Sequence, residues 1–202
     1  MVLQDTLLFP VVRLLYRPRT VAGGLPAAAS VDGPVLLIAN HTSHLDALTV
    51  LSLLPADRRR RTAVAAAADY FFTSRPRTIV SSVALGAFPF NREVAVADSL
   101  AHCGDLVDAG YSILIFPEGT RSSDGRLKPF RLGSGLLARE LQIPVVPVRL
   151  EGLQRILPRG RTWPRPGPVR LIVGRPLLID PGLTNAESAR VLSQSIVDLG
   201  QG

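Results

Sequence analysis

Cysteine, lysine and aromatic side chains are all scarce in this 202-residue chain, and each shortage excludes something. With one cysteine, Cys103, there can be no internal disulfide and no cysteine-rich zinc site, and a reducing compartment suits the chain. Aromatics make up 5% of residues and none interleave with the basic runs, which argues against nucleic acid as a partner. No run approaches the roughly 18 apolar residues that a membrane-spanning helix needs. A secretory leader is not expected either, because Asp5 and Arg13 interrupt the apolar N-terminus. Repeats and low-complexity tracts are absent.

What is present is apolar and arginine-rich. Hydrophobic residues reach 47% and charged residues 19%, enough for one domain with a substantial core. The formal charge is +7, and Lys128 is the single lysine among 23 basic side chains. Arginine's flat fork suits phosphate. The run Arg58-Arg59-Arg60-Arg61 is open to two readings, a solvated face or a contact with an anionic surface or phosphorylated ligand.

Short branched runs predict strands over residues 35–39, 62–67, 112–116, 144–150 and 169–173. Helical patterns lie over 46–54, 96–109 and 132–141, and Thr184 to Glu187 reads as a capping box opening a last helix that ends near Gly200. Strands alternating with helices imply an α/β fold, a central, largely parallel or mixed sheet flanked by helices. The expected division is an amphipathic segment over 1–20 and a single domain over 21–202. Residues 2–16 carry apolar positions at helical spacing with Arg13, Arg17 and Arg19 toward the end, while Pro10 would kink or restart the helix. Such a segment either lies on a membrane surface or packs on the domain's own core.

Two loops beyond predicted strands carry chemistry-bearing residues. The first, NHTSHLD, runs from Asn40 to Asp46 and holds two of the three histidines. Ser43 and Asp46 could simply cap a helix, which leaves His41 unexplained. A metal site is disfavoured, since His41 and Asp46 on one helix would point ~140° apart. In the third reading the chain folds back so that Asp46 orients His41 for proton transfer. No G-x-S-x-G elbow marks a nucleophile, so the base would act on a substrate hydroxyl directly. The second loop, FPEGTRS, follows the apolar Ile113-Leu114-Ile115 and offers Glu118, Arg121 and Gly119, the last able to present an N–H to an oxyanion. Between them lies Gly86 to Arg92, an apolar turn ending in another arginine.

Asn40, His41 and Asp46 (NH-x4-D), the segment ending in Arg92, Phe116 to Ser122, and Ile143 to Val148 (IPVVPV) stand in the order and spacing of the four blocks of glycerolipid acyltransferases. The set resembles the 1-acylglycerol-3-phosphate acyltransferases over residues 35–150. The resemblance implies transfer of a fatty acyl group from acyl-CoA or acyl carrier protein to lysophosphatidate at the cytoplasmic face of a membrane, with no metal and no cofactor beyond the donor. It implies His41 as base and Asp46 as its orienting partner. Arg92 and Arg121 would hold the acceptor phosphate, with Glu118, Gly119 and Thr120 completing the substrate site. His44 falls at a variable position of the first block and stays outside the catalytic set. The region before Arg92 lacks the lysine that relatives often use, which leaves other acceptors open, a lyso-aminolipid, a glycolipid or glycerol-3-phosphate. A non-catalytic lipid-surface module is the alternative from another class.

Overall fold

The computed structural model describes residues 9–21, 31–67, 87–90, 96–158, 160–161 and 163–201. Its framework is a seven-stranded sheet in the spatial order β1-β7-β6-β2-β5-β3-β4. The strands are β1 (Arg19–Val21), β2 (Leu36–Ala39), β3 (Thr62–Ala67), β4 (Ala87–Phe90), β5 (Ser112–Ile115), β6 (Val145–Glu151) and β7 (Arg170–Val173). All neighbours run parallel except β6 and β7. The helices are α1 (Phe9–Tyr16), α2 (Asp46–Leu53), α3 (Ala56–Arg60), α4 (Val96–Asp108), α5 (Leu132–Leu141), α6 (Leu153–Ile156) and α7 (Asn185–Asp198).

Parallel central strands must be covered on both faces, and their sequences are apolar throughout rather than alternating. Leu37 and Ala39 of β2, Leu114 of β5 and Val146 and Val148 of β6 join Val50 and Leu51 of α2 in one core. Leu36, Ile38, Ile113, Ile115 and Val145 face the other way, onto Cys103 of α4, Leu137 of α5 and Leu192 and Ile196 of α7. Each such side chain contributes about 1.5–3 kcal/mol on burial.

The five expected strands and four expected helices are present, with ends displaced by at most two residues. Strands β1 and β4 and helices α3 and α6 are additional, and α1 covers residues 9–16 of the helical segment expected over 2–16, whose first part lies outside the described residues. Three-residue β1 has no pattern of its own and exists because Arg19, Thr20 and Val21 pair with Arg170, Leu171 and Ile172 of β7. The division at residue 20 therefore falls inside a strand of the sheet. Upstream, Phe9, Val12 and Tyr16 of α1 are buried in the first core, with Pro10 in the opening turn of the helix, where its ring is tolerated. Val11 and Leu14 point outward, at 41% and 73% exposure, so α1 is a core helix with an apolar outer face.

The arginine run sits at the N-terminal edge of β3. Arg58 donates to the carbonyls of Gly33 (3.1 Å) and Val31 (2.6 Å), Arg59 donates to Leu54 (3.1 Å) and lies over the Phe9 ring, and Arg60 donates to Ala56 (3.1 Å). These guanidinium groups satisfy main-chain acceptors at the end of the sheet opposite to the two motif loops. Among the described residues no helix is long and apolar enough to cross a membrane.

Candidate active site

Strands β2 and β5 are hydrogen-bonded parallel neighbours, Ile38 opposite Ile115, so the loops that leave their C-terminal ends emerge side by side. This brings NHTSHLD and FPEGTRS together across more than 70 residues of sequence.

Asp46 begins α2 and is fully buried. Its Oδ2 meets Nδ1 of His41 at 2.8 Å and accepts the main-chain N–H of Thr42 (2.6 Å) and of Ser43 (2.9 Å). The alternative in which Ser43 and Asp46 cap the helix is thereby corrected. The N-cap residue is Leu45, without a side-chain cap bond, and the carboxylate turns back to hold the loop. Main-chain N–H groups can only donate, so Oδ2 is an acceptor and the proton of this bond belongs to His41 Nδ1. The opposite ring nitrogen, Nε2, then carries the lone pair that can take a proton. The imidazole is stacked on Phe116 with centroids 4.3 Å apart and planes at 25°, which fixes its second rotational freedom.

The second loop clamps the backbone of the first. His41 donates its N–H to Glu118 Oε1 at 2.6 Å, and Ser122 donates its N–H to the His41 carbonyl at 2.7 Å. The other Glu118 oxygen accepts the N–H of Lys128 at 2.9 Å. Glu118 is 4% exposed and both its oxygens serve main-chain donors, so in this structure it braces the two loops. Burial outweighs those two donors and holds its carboxyl above the usual range.

Gly119 adopts φ +70°, and a Cβ there would lie 2.8 Å from Arg131 Cδ. Its own N–H donates to the Phe116 carbonyl at 2.9 Å, closing the turn. The amide offered in the sequence reading to an oxyanion is thus spent inside the loop. Thr120 is exposed and Arg121 half-buried. Between them reaches Lys128, whose Nζ donates to the Arg121 carbonyl at 2.9 Å and lies 3.4 Å from Thr120 Oγ1. Arg92 lies outside the described residues, and of the turn expected over Gly86 to Arg92 the described part, Ala87 to Phe90, is instead strand β4, drawn out by parallel pairing with β3.

Three supporting residues carry more than their motif letters suggest. Asn40 donates to the Leu150 carbonyl (2.9 Å) and accepts the Leu150 N–H (2.7 Å), tying the start of the loop to β6. Ser43 Oγ donates to the Leu157 carbonyl at 3.0 Å. Lys128 carried a signal as the lone lysine of an arginine-rich chain, ten residues after Glu118, which sequence reasoning did not connect to the site. His44 is held down to about 4, by burial first and then by the charges of Arg121 and His41, with Asp46 opposing. It is therefore neutral near pH 7. Among the described residues no three His, Cys, Asp or Glu side chains gather in a way that could hold a metal ion.

The profile of the Acyltransferase family matches residues 18–151. A chloroplastic 1-acyl-sn-glycerol-3-phosphate acyltransferase of Brassica napus is 35% identical over 168 residues, covering 79% of this chain and 45% of that protein. Its counterpart from Arabidopsis thaliana is 32% identical, covering 76% of this chain and 42% of that protein. The chain thus spans less than half the length of these relatives. Among solved structures, the 1-acyl-sn-glycerophosphate acyltransferase PlsC of Thermotoga maritima superposes with a TM-score of 0.68 at 23% identity, over 95% of this chain and 76% of that one, a likeness of fold.

Proposed function

The chain belongs to the acyltransferase family, and from that premise we propose that it moves a fatty acyl group from a thioester of coenzyme A or acyl carrier protein to the free hydroxyl of lysophosphatidate, giving phosphatidate. The observation that carries the reading is the His41–Asp46 pair, 2.8 Å apart, clamped against a loop that bears Arg121 and Lys128.

In this reading Nε2 of His41 takes the proton of the acceptor hydroxyl as its oxygen attacks the thioester carbonyl. The C–O bond forms, the C–S bond breaks, and the proton passes from the imidazolium to the departing thiolate. The buried Asp46 carboxylate stabilises the imidazolium between the two transfers. A thioester is already activated, so a positioned base worth ~10²–10⁴-fold suffices when orientation adds ~7–11 kcal/mol, and no covalent enzyme intermediate is needed. Arg121, with Arg92, holds the acceptor phosphate, and Lys128 has hydrogens on Nζ to add to that charge. Glu118 acts as a positioning residue. The acceptor is a membrane lipid, and α1, with Leu14 and Val11 outward beside Arg13 and Arg17, suits a peripheral site on the cytoplasmic face.

The test is catalytic efficiency with lysophosphatidate and with its dephosphorylated analogue, for wild type and for Arg121→Ala. Loss of one charge-assisted contact costs ~1.5–3 kcal/mol, or roughly ten- to a hundredfold, and should fall on the phosphorylated acceptor. Equal losses on both acceptors would show that Arg121 does not read the phosphate and would remove lysophosphatidate as the substrate.

A further inference from the structure

From Gly152 to Arg170 the chain has five arginines, four prolines and no acidic residue, and in its middle stands Trp163, the single tryptophan of the protein. Trp163 is 79% exposed, and tryptophan among basic side chains is the pairing enriched at membrane interfaces. We infer that this arginine-rich loop is a second membrane contact, in which Trp163 enters the headgroup layer of an anionic bilayer while Arg155, Arg161, Arg165 and Arg170 lie against lipid phosphates.

The placement of the loop supports this. It leaves the C-terminal end of β6 through α6 and returns to the start of antiparallel β7, so both roots lie at the edge of the sheet that carries the active-site loops. Within it Leu157, the residue that follows α6, is bonded through its carbonyl to Ser43, inside the His41–Asp46 turn. A bilayer docked on this loop therefore faces the mouth where a lipid acceptor must enter.

Charge selects the occupant. Arg19 of β1 and Arg170 of β7 are register partners, like charges set side by side at one root. Arg155 and Arg170 also line a cavity of about 370 Å³ with Arg149, in which Glu151, the one carboxylate among its described lining residues, is already shared by Arg149 (3.2 Å) and Arg170 (3.5 Å). Positive charge is thus left in excess around an exposed indole, the composition that partitions into anionic interfaces. Prolines at 158, 164, 166 and 168 limit the backbone freedom that docking would otherwise remove.

The inference rests on the reading of a membrane-borne acceptor, but its test does not need turnover. Because Trp163 is the single tryptophan, its emission reports on this loop alone. The 202-residue protein is titrated with vesicles of phosphatidylcholine, with and without phosphatidylglycerol. Emission should shift to shorter wavelength with the anionic vesicles and be quenched by lipids brominated near the headgroup end of the chain. Arg161→Ala and Arg165→Ala should each weaken partitioning about fivefold, and lysine at both positions should restore it, since a bilayer reads charge rather than the guanidinium fork. Trp163→Phe, followed by sedimentation, checks that the indole itself contributes. Vesicle binding with unchanged emission would overturn the inference, as would a shift produced by an acidic acyl carrier protein and not by vesicles. If the vesicle-induced shift occurs and lysophosphatidate is not acylated, the loop assignment stands and the proposed activity falls.

Discussion

Asp46 Oδ2 receives three hydrogen bonds within 2.9 Å, two from main-chain amides and one from His41. In Asp46→Asn an amide oxygen at that position keeps the three donors but loses the charge that supports an imidazolium, while an amide nitrogen there confronts two N–H groups. Either arrangement should lower kcat by about 10²–10⁴-fold, and the second also costs about 1–3 kcal/mol of stability. Single-turnover rates beside a thermal melt measure both, and an unimpaired rate would remove Asp46 from the proton path. His44, three residues from His41, titrates instead as a burden on the fold. Its folded pKa of about 4 lies below the ordinary 6.5, so between these values the unfolded chain binds more protons than the folded one. Stability from this group is present above pH 6.5 and is lost as pH falls through the window toward 4. In His44→Gln that loss disappears, and parallel melting curves for variant and wild type across the window would refute the assignment.

Helices α5 and α7 pack across a glycine. A Cβ at Gly135 would collide with the Asn185 carbonyl oxygen and lie 2.7 Å from the Ala189 nitrogen, both backbone atoms that cannot swing aside. Gly133, on the same helix, has nothing within 4 Å. Gly135→Ala should therefore cost about 1–3 kcal/mol through forced separation of the helices, against a helix-propensity gain of at most ~1 kcal/mol. Gly133→Ala carries the gain alone. In a chain of this size Tm should fall by ~2–8 °C for the first and rise slightly for the second, and equal shifts would mean that the close approach is not what the glycine serves. Propensity arguments do see α7, because its capping box is local: Thr184 Oγ1 accepts from the Glu187 N–H, and the Glu187 carboxylate accepts from the Thr184 N–H at 2.8 Å. They fail at α2, where the same kind of pattern is drawn away by His41.

At the scale of the whole molecule, Cys103 is a reporter. The thiol is fully buried between α4 and the sheet, and burial pushes its pKa up to about 12. Thiolate is the reactive form, so native protein should resist alkylation, and labelling should follow opening of the second core. Gly135→Ala should speed labelling about as much as it lowers stability, and Gly133→Ala should not. Fast labelling of wild type in native buffer would show that α4 opens on its own, independently of the fold.

Sequence alone determined the α/β class, because apolar runs of strand length alternating with helix-period segments have few other ways to bury both faces of a sheet. It singled out His41, Asp46 and the second loop from residue chemistry and their fixed spacing. It left the cap, metal and proton-transfer readings of the first loop open at that level, because local patterns do not say where a carboxylate points. Tertiary structure decided that, by closing three donors on one oxygen. It also decided that β1 is a strand, since three residues extend only when β7 supplies their partners. Glu118 became a brace for the same reason. Its role depends on the amide of a residue 77 positions away, which becomes a neighbour only because β2 and β5 pair.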